Sequence, residues 1–370
     1  MIVISRVSRM RTLGRYFVLI AALACALCAP AYAQARYSKL FVFGDSLTDS
    51  GNAFFLTAGA IPAAPYVEGR FSNGNNFADD LNVRLFGQPL VPSLDGGTNF
   101  AVGGATTGTA NNAAPVPTGL LIQKNTFLQT FGRTAADADA LYLVYGGSND
   151  LFAAIDDVEH NRKDPAAAEA DTIRDAMANL GKIIGDLSDR GARHFLVPNL
   201  GDLGKLPSLL NTPLSSFASQ ASAHFNDALE RLLAGFSGLD IRRLDIHAAF
   251  DDARAGVGGF SDTTTSCYDG GTTGGPPPPC TDPADHLFWD GIHPTSRAHA
   301  LLADRAFDAV VVPEPQTWIA LLVGIAIVWA GLRGGRRSPR SNSSPSWPAV
   351  RYRLGSDPRG CPGPGLPLRL

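Results

Sequence analysis

Phe41-Val42-Phe43-Gly44-Asp45-Ser46-Leu47-Thr48-Asp49-Ser50-Gly51-Asn52 starts as a short apolar strand and breaks at Gly44. A strand that stops there delivers the Ser46 hydroxyl at its carboxyl end, the edge of an open parallel sheet where ligands bind. The Gly44-Asp45-Ser46 triplet by itself is equally a turn with a capping serine. For Ser46 to be a nucleophile, the rest of the chain must supply a base, a group that orients the base, and donors for an oxyanion.

Outward from this stretch, strand-length apolar runs recur at 39–43, 99–102, 140–145, 193–198 and 241–246. Helical patterns fall at 76–86, 119–131, 165–190, 213–236 and 294–311, and three of them begin with a proline, a normal first-turn position. Alternation of this kind predicts an α/β fold with a parallel sheet covered on both faces. Residues 251–287 form the longest segment without periodicity, and no internal repeat is present.

The two ends read differently from the middle. Residues 1–33 have the form of a secretory signal peptide: Arg6, Arg9, Arg11 and Arg15, an apolar core from Phe17 to Cys28, and the Ala31-Tyr32-Ala33 cleavage pattern. The expected mature domain is 34–311. Of the 31 basic residues, 4 lie in the leader and 8 beyond Val312, so this domain carries 19 basic against 32 acidic residues. A surface that acidic argues against nucleic acid, and against an anionic membrane, as the main partner.

Val312-Pro313-Glu314-Pro315 precedes an apolar stretch from Trp318 to Leu332, followed by Arg333, Arg336 and Arg337. At roughly 1.5 Å per residue the apolar stretch reaches about 23 Å, a short transmembrane helix at most. Residues 312–337 resemble the PEP-CTERM sorting signal of Gram-negative bacteria, a resemblance that implies an exosortase as sorting partner and a cell-surface destination. Residues 338–370 are rich in Ser, Pro and Arg and read as a disordered basic tail.

Within the domain only Cys267 and Cys280 remain, and in an oxidising compartment they are expected to pair around a Gly/Thr/Pro-rich loop. The competing zinc reading lacks two further ligands at metal spacing, so no metal is expected.

Four short blocks carry the chemistry. The first is Gly44-Asp45-Ser46-Leu47. The second is Asn99-Phe100-Ala101-Val102-Gly103-Gly104-Ala105-Thr106, where Gly104 can offer an unobstructed backbone N–H. The third, Gly146-Gly147-Ser148-Asn149-Asp150, presents the Asn149 amide. The fourth, Trp289-Asp290-Gly291-Ile292-His293-Pro294-Thr295, puts Asp290 three residues before His293. A serine hydroxyl needs an imidazole to take its proton, and the imidazole needs an acceptor on its other nitrogen; His293 and Asp290 fit those roles. Ser46 N–H, Gly104 N–H and the Asn149 amide would make an oxyanion hole. Each block has a plainer alternative: strand-end glycines, an Asn/Asp helix cap, and a surface histidine competing with histidines 160, 194, 224, 247, 286 and 299. Asp45 and Asp150 are expected to brace their turns.

In this order, the four blocks are similar to those of the GDSL family of lipases and esterases, the SGNH hydrolases, over Leu40 to about Val311. Gly69-Arg70-Phe71-Ser72-Asn73-Gly74 resembles the branch that includes phospholipase, lecithinase and haemolysin-type enzymes. The resemblance implies a three-layer α/β/α, flavodoxin-like fold with a five-stranded parallel sheet. It also implies a site without metal or organic cofactor that hydrolyses carboxylic esters through an acyl-serine. The expected protein is therefore an exported esterase or lipase of the periplasm, outer surface or medium. An O-acetylesterase of surface polysaccharide, or a non-catalytic binding protein on the same fold, are the alternatives. Phe54, Phe55, Leu56 and Tyr66 either line an acyl groove or belong to the core, and the absence of a long apolar lid segment favours short or medium acyl chains.

Overall fold

Four apolar runs become the parallel strands β1 (Leu40–Phe43), β2 (Leu141–Val144), β3 (His194–Pro198) and β4 (Asp240–Leu244), paired side by side in that order. Every residue of β1 and β2 is buried, and successive strand residues point to opposite faces, so both faces of the sheet are covered. The computed structural model describes residues 37–131 and 136–311. The expected leader (1–33), the sorting-signal resemblance with its transmembrane helix (312–337) and the tail (338–370) lie outside the described residues. Among the described residues no helix is long and apolar enough to cross a membrane.

The fifth strand expected at 99–102 is present as pairing without a regular strand. Phe100 N donates to Val42 O at 2.8 Å, Val102 N donates to Gly44 O at 3.1 Å, and Val42 N donates to Thr98 O at 3.1 Å. On its outer side the Asn52 amide nitrogen donates to Asn99 O at 2.7 Å and to Ala101 O at 2.8 Å. On the same side Ser93 N donates to Asn99 O at 2.6 Å and Asn99 N donates to Val91 O at 3.2 Å, so residues 91–93 and the Asn52 amide together close this sheet edge. Counting this run, the order in space is 2-1-3-4-5, the doubly wound arrangement in which the chain reverses beside the first strand and opens a crevice at the carboxyl ends.

The helices are α1 (Asn52–Leu56), α2 (Phe77–Phe86), α3 (Leu120–Thr130), α4 (Ser148–Glu159), α5 (Pro165–Asp189), α6 (Ser215–Ala234), α7 (Ile246–Arg254) and α8 (Ser296–Val311). They form two packing groups. In one, α8 lies against α2, α7 and β4; in the other, α5 lies against α3, α4 and α6, with α3 on β1. Local chemistry sets their starts. Asn76 accepts from Ala78 N and Asp79 N while Asp79 accepts from Asn76 N, a reciprocal cap on α2. Asp164 caps α5 with Pro165 in its first turn.

Three helices escape the sequence pattern. α1 is only five residues long, α7 is short, and α4 begins inside the glycine-rich third block. The segment 251–287, expected to be irregular, contains the end of α7 and the short parallel pair β5 (Asp262–Ser266) and β6 (His286–Phe288). Cys267 and Cys280 are bonded to each other between those two strands.

Candidate active site

Gly44 ends β1 because its surroundings leave no room for a side chain: a Cβ there would lie 2.2 Å from Thr48 Oγ1. The buried Gln123 of α3 holds both backbone groups of Gly44, accepting from its N–H at 2.9 Å and donating to its carbonyl at 2.8 Å. The chain then turns tightly. Asp45 Oδ1 accepts from Leu47 N at 3.0 Å, and Asp45 O accepts from Thr48 N and Asp49 N at 3.1 and 3.0 Å. Ser46 sits on this turn at the carboxyl end of β1.

His293 approaches from the other end of the sequence. Its Nε2 lies 2.8 Å from Ser46 Oγ, and its Nδ1 lies 2.7 Å from Asp290 Oδ2. The other carboxylate oxygen of Asp290 accepts from Ile292 N at 2.8 Å and His293 N at 2.7 Å, which folds the Asp-x-x-His segment into one compact turn. Burial opposes a charge on Asp290, but the adjacent imidazole, the Tyr66 hydroxyl and the backbone donors outweigh it and hold the carboxyl below its usual range. The three residues proposed from sequence as nucleophile, base and orienter are therefore in hydrogen-bonded series. The other six histidines are engaged elsewhere: 160 with Asp156, 194 with Asp240, 224 with Glu169, 247 with Asp251 and 286 with Asp262. His299 is fully buried and accepts from Phe77 N at 3.2 Å; burial first, then the neighbouring His293, push it down to about 3, so it stays neutral.

The segment 69–74, singled out in sequence by its likeness, brackets the histidine turn. Phe71 lies tilted against the His293 ring at 5.3 Å, Ser72 Oγ donates to Pro294 O at 2.8 Å, and Asn73 Oδ1 accepts from Ser296 N at 2.8 Å. Phe71 also fills the space over Gly103, where a Cβ would fall 2.3 Å from its ring.

Gly104 has φ +80°, and a Cβ there would be 2.5 Å from Asn111 Oδ1, so both backbone conformation and space call for glycine. Neither Gly104 N–H nor Ser46 N–H has a protein acceptor among the described residues. The Asn149 amide donates one N–H to Ala105 O at 3.0 Å, which fixes its orientation and leaves the other N–H free. Asp150 accepts from Thr107 N at 2.8 Å and Thr107 Oγ1 at 2.6 Å, and Asn112 donates to Asn149 O at 2.6 Å, so the second and third blocks are locked together. Asp49 links the first block to the second. Its carboxylate accepts from Gly51, Asn52, Ala53 and Gly103 N–H groups at 2.7–3.0 Å. Asp49 and Gln123 are supports that the sequence reading did not single out, and Tyr66, named there for an acyl groove or the core, is a buried residue that also reaches Asp290.

A cavity of about 30 Å³ adjoins Ser46 and Asn149, walled by Leu47, Phe152, Leu206, Phe250 and Ile292. Phe54, Phe55 and Leu56, candidates for an acyl groove or core, are instead exposed, while Tyr66 is buried against Asp290. Asp45 is wholly buried, and its Oδ2 has no hydrogen-bond partner among the described residues; burial pushes its carboxyl up to about 7, with the Leu47 N–H and His293 pulling the other way. Among the described residues, Asp156, Glu159 and His160 could together hold a metal ion, but they are exposed at the opposite end of α4 from Asn149.

The sequence matches the family described as GDSL-like lipase/acylhydrolase over residues 40–306. Among curated proteins it is 26% identical over 342 residues to phosphatidylcholine-sterol acyltransferase of Aeromonas hydrophila, covering 79% of this chain and 96% of that one. It is 29% identical over 335 residues to esterase EstA of Pseudomonas aeruginosa, covering 77% of this chain and 48% of EstA. Among solved structures, the lipase Lip_vut3 from a goat rumen metagenome aligns with a TM-score of 0.43 at 13% identity, over 74% of this chain and 97% of that one.

Proposed function

The chain belongs to the GDSL-like lipase/acylhydrolase family and is an ester-bond hydrolase, and from that premise we propose that it cleaves carboxylic esters through an acyl group carried on Ser46. The observation that carries the reading is the continuous series Ser46 Oγ, His293 Nε2, His293 Nδ1, Asp290 Oδ2, with contacts of 2.8 and 2.7 Å. His293 takes the Ser46 proton as Oγ attacks the ester carbonyl, and Asp290 stabilises the imidazolium. The tetrahedral oxyanion is met by Ser46 N–H, Gly104 N–H and the free Asn149 N–H. His293 then gives its proton to the departing alcohol, leaving acyl-Ser46. A water, deprotonated by His293, attacks the acyl carbon; the acyl–Oγ bond breaks, His293 returns the proton to Ser46 Oγ, and the acid leaves. No step calls for a metal or an organic cofactor.

Ser46→Ala should abolish turnover of nitrophenyl acetate and labelling by a fluorophosphonate. Full activity in that variant would overturn the assignment.

The leader pattern at 1–33, the acidic domain and the Cys267–Cys280 bond together support an exported enzyme, and the likeness of 312–337 to a sorting signal supports surface delivery through an exosortase. Segment 69–74 supports placement in the phospholipase, lecithinase and haemolysin-type branch. A second reading is an O-acetylesterase of surface polysaccharide, the same chemistry on another ester. Acetate release from native extracellular polysaccharide separates it from lipid hydrolysis. A purely binding role fits poorly with a nucleophile, base and orienter all in hydrogen-bonding contact.

A further inference from the structure

Asp290 Oδ2 receives two side-chain groups. One is His293 Nδ1, and the other is the Tyr66 hydroxyl, which donates at 2.6 Å from 224 positions away in sequence. With Ile292 N and His293 N on Oδ1, the carboxylate has four neighbours and no vacant lone-pair direction.

The Tyr66 ring is 5% exposed and is held edge-on by Tyr268 at 5.7 Å, Trp289 at 6.0 Å and Phe71 at 6.4 Å. Its neighbours are themselves fixed. Tyr268 N donates to Trp289 O at 2.7 Å, the Tyr268 hydroxyl accepts from Gly275 N at 2.9 Å, and the Cys267–Cys280 bond closes that loop. Ala63 N donates to Thr272 O at 2.8 Å, tying the segment before Tyr66 to the same loop. Few arrangements of the phenol are open to it other than the one that meets Asp290.

We propose that Tyr66 is a positioning residue of the hydrolytic site: its hydroxyl fixes Oδ2 of Asp290 and shares that oxygen's charge with His293, so setting how firmly the imidazolium is held. This rests on the reading of Ser46, His293 and Asp290 as the hydrolytic series. Burial and the neighbouring Asp290 carboxylate push the phenol well above its ordinary range, so it remains a donor at every working pH. No proton leaves Tyr66 in the cycle. It keeps Asp290 a carboxylate while His293 is charged, and aims the oxygen at Nδ1.

Tyr66→Phe removes the hydroxyl and keeps the ring. Oδ2, no longer held by the phenol, is aimed less well at Nδ1, so kcat should fall about tenfold with KM within about twofold. The carboxylate, relieved of one donor, holds the imidazolium more tightly, and the acid limb of kcat/KM should move to higher pH. Incorporating 3-fluorotyrosine at position 66 supplies a stronger donor in nearly the same shape, and the limb should move the opposite way. A packing role alone moves neither limb.

Fluorophosphonate labelling of Ser46, followed against pH in all three proteins, keeps the two ideas apart. If the parent protein labels and both variants react at its rate with its pH dependence, the Tyr66 inference is overturned and the hydrolase reading stands. If the parent does not label, both fall. Opposite displacements of the limb in the two variants establish the role of Tyr66.

Discussion

Replacing Asp45 with asparagine should make the protein more stable at pH 8 and leave it unchanged near pH 4. Asp45 is wholly buried, one of its oxygens has no hydrogen-bond partner among the described residues, and its carboxyl is pushed up to about 7 from an unfolded value of 3.8. Between those two values the folded state binds more protons than the unfolded chain, so stability falls as pH rises across the window and the loss is complete above about pH 7. Each pH unit of that window corresponds to about 1.4 kcal/mol, so the whole displacement is worth about 4 kcal/mol. The replacing amide keeps an acceptor for Leu47 N–H and carries no charge at any pH, so the variant escapes the penalty altogether. For a domain of this size 1 kcal/mol moves Tm by about 2–4 °C, so Asp45→Asn should melt about 10 °C above the parent at pH 8. The assay is thermal and urea unfolding of both proteins from pH 4 to pH 8. A stability difference that does not grow with pH, or a variant less stable than the parent at pH 8, would refute the account of Asp45 as a carboxyl burdened by burial.

Asn149→Ala should lower kcat about 10²–10³-fold by removing one oxyanion donor, while Ser46 still labels with a fluorophosphonate; complete loss of labelling would show that Asn149 holds the fold of the site rather than the oxyanion. Phe250→Ala enlarges the cavity beside Ser46 and should shift the ratio of kcat/KM for nitrophenyl octanoate over nitrophenyl acetate upward, at a stability loss of about 3–5 kcal/mol seen in urea unfolding. An unchanged ratio would mean that the acyl chain lies elsewhere.

The elements that sequence exposed are those whose chemistry is local. Asp290 and His293 are three residues apart, and the Asn149 amide follows closely on an apolar strand, so spacing and strand ends marked them as candidates, and the order of the four blocks gave them weight. Run 99–102 was legible as a strand because of its apolar residues, but its edge is closed by Asn52 and by residues 91–93, contacts that periodicity does not encode. The missed supports share one property: their partners are distant. Tyr66 meets Asp290 across 224 positions, Gln123 meets Gly44 across 79, and Asp49 meets Gly103 across 54. An aromatic residue near a first helix reads the same whether it packs in a core or touches a carboxylate. Phe54, Phe55 and Leu56 show the converse, since apolar character alone did not reveal that they face outward. α4 was hidden for another reason: its first turn is the glycine-rich block itself, whose composition signals a loop.

The contact between Ser46 and His293 spans 247 positions. In biosynthesis the nucleophile is therefore made early and stays inert until nearly the whole domain has emerged and α8 has docked behind the histidine turn. A chain caught part-way through synthesis carries the serine without its base, so it cannot attack the esters around it. Turnover then serves as a report that the two ends of the domain have met.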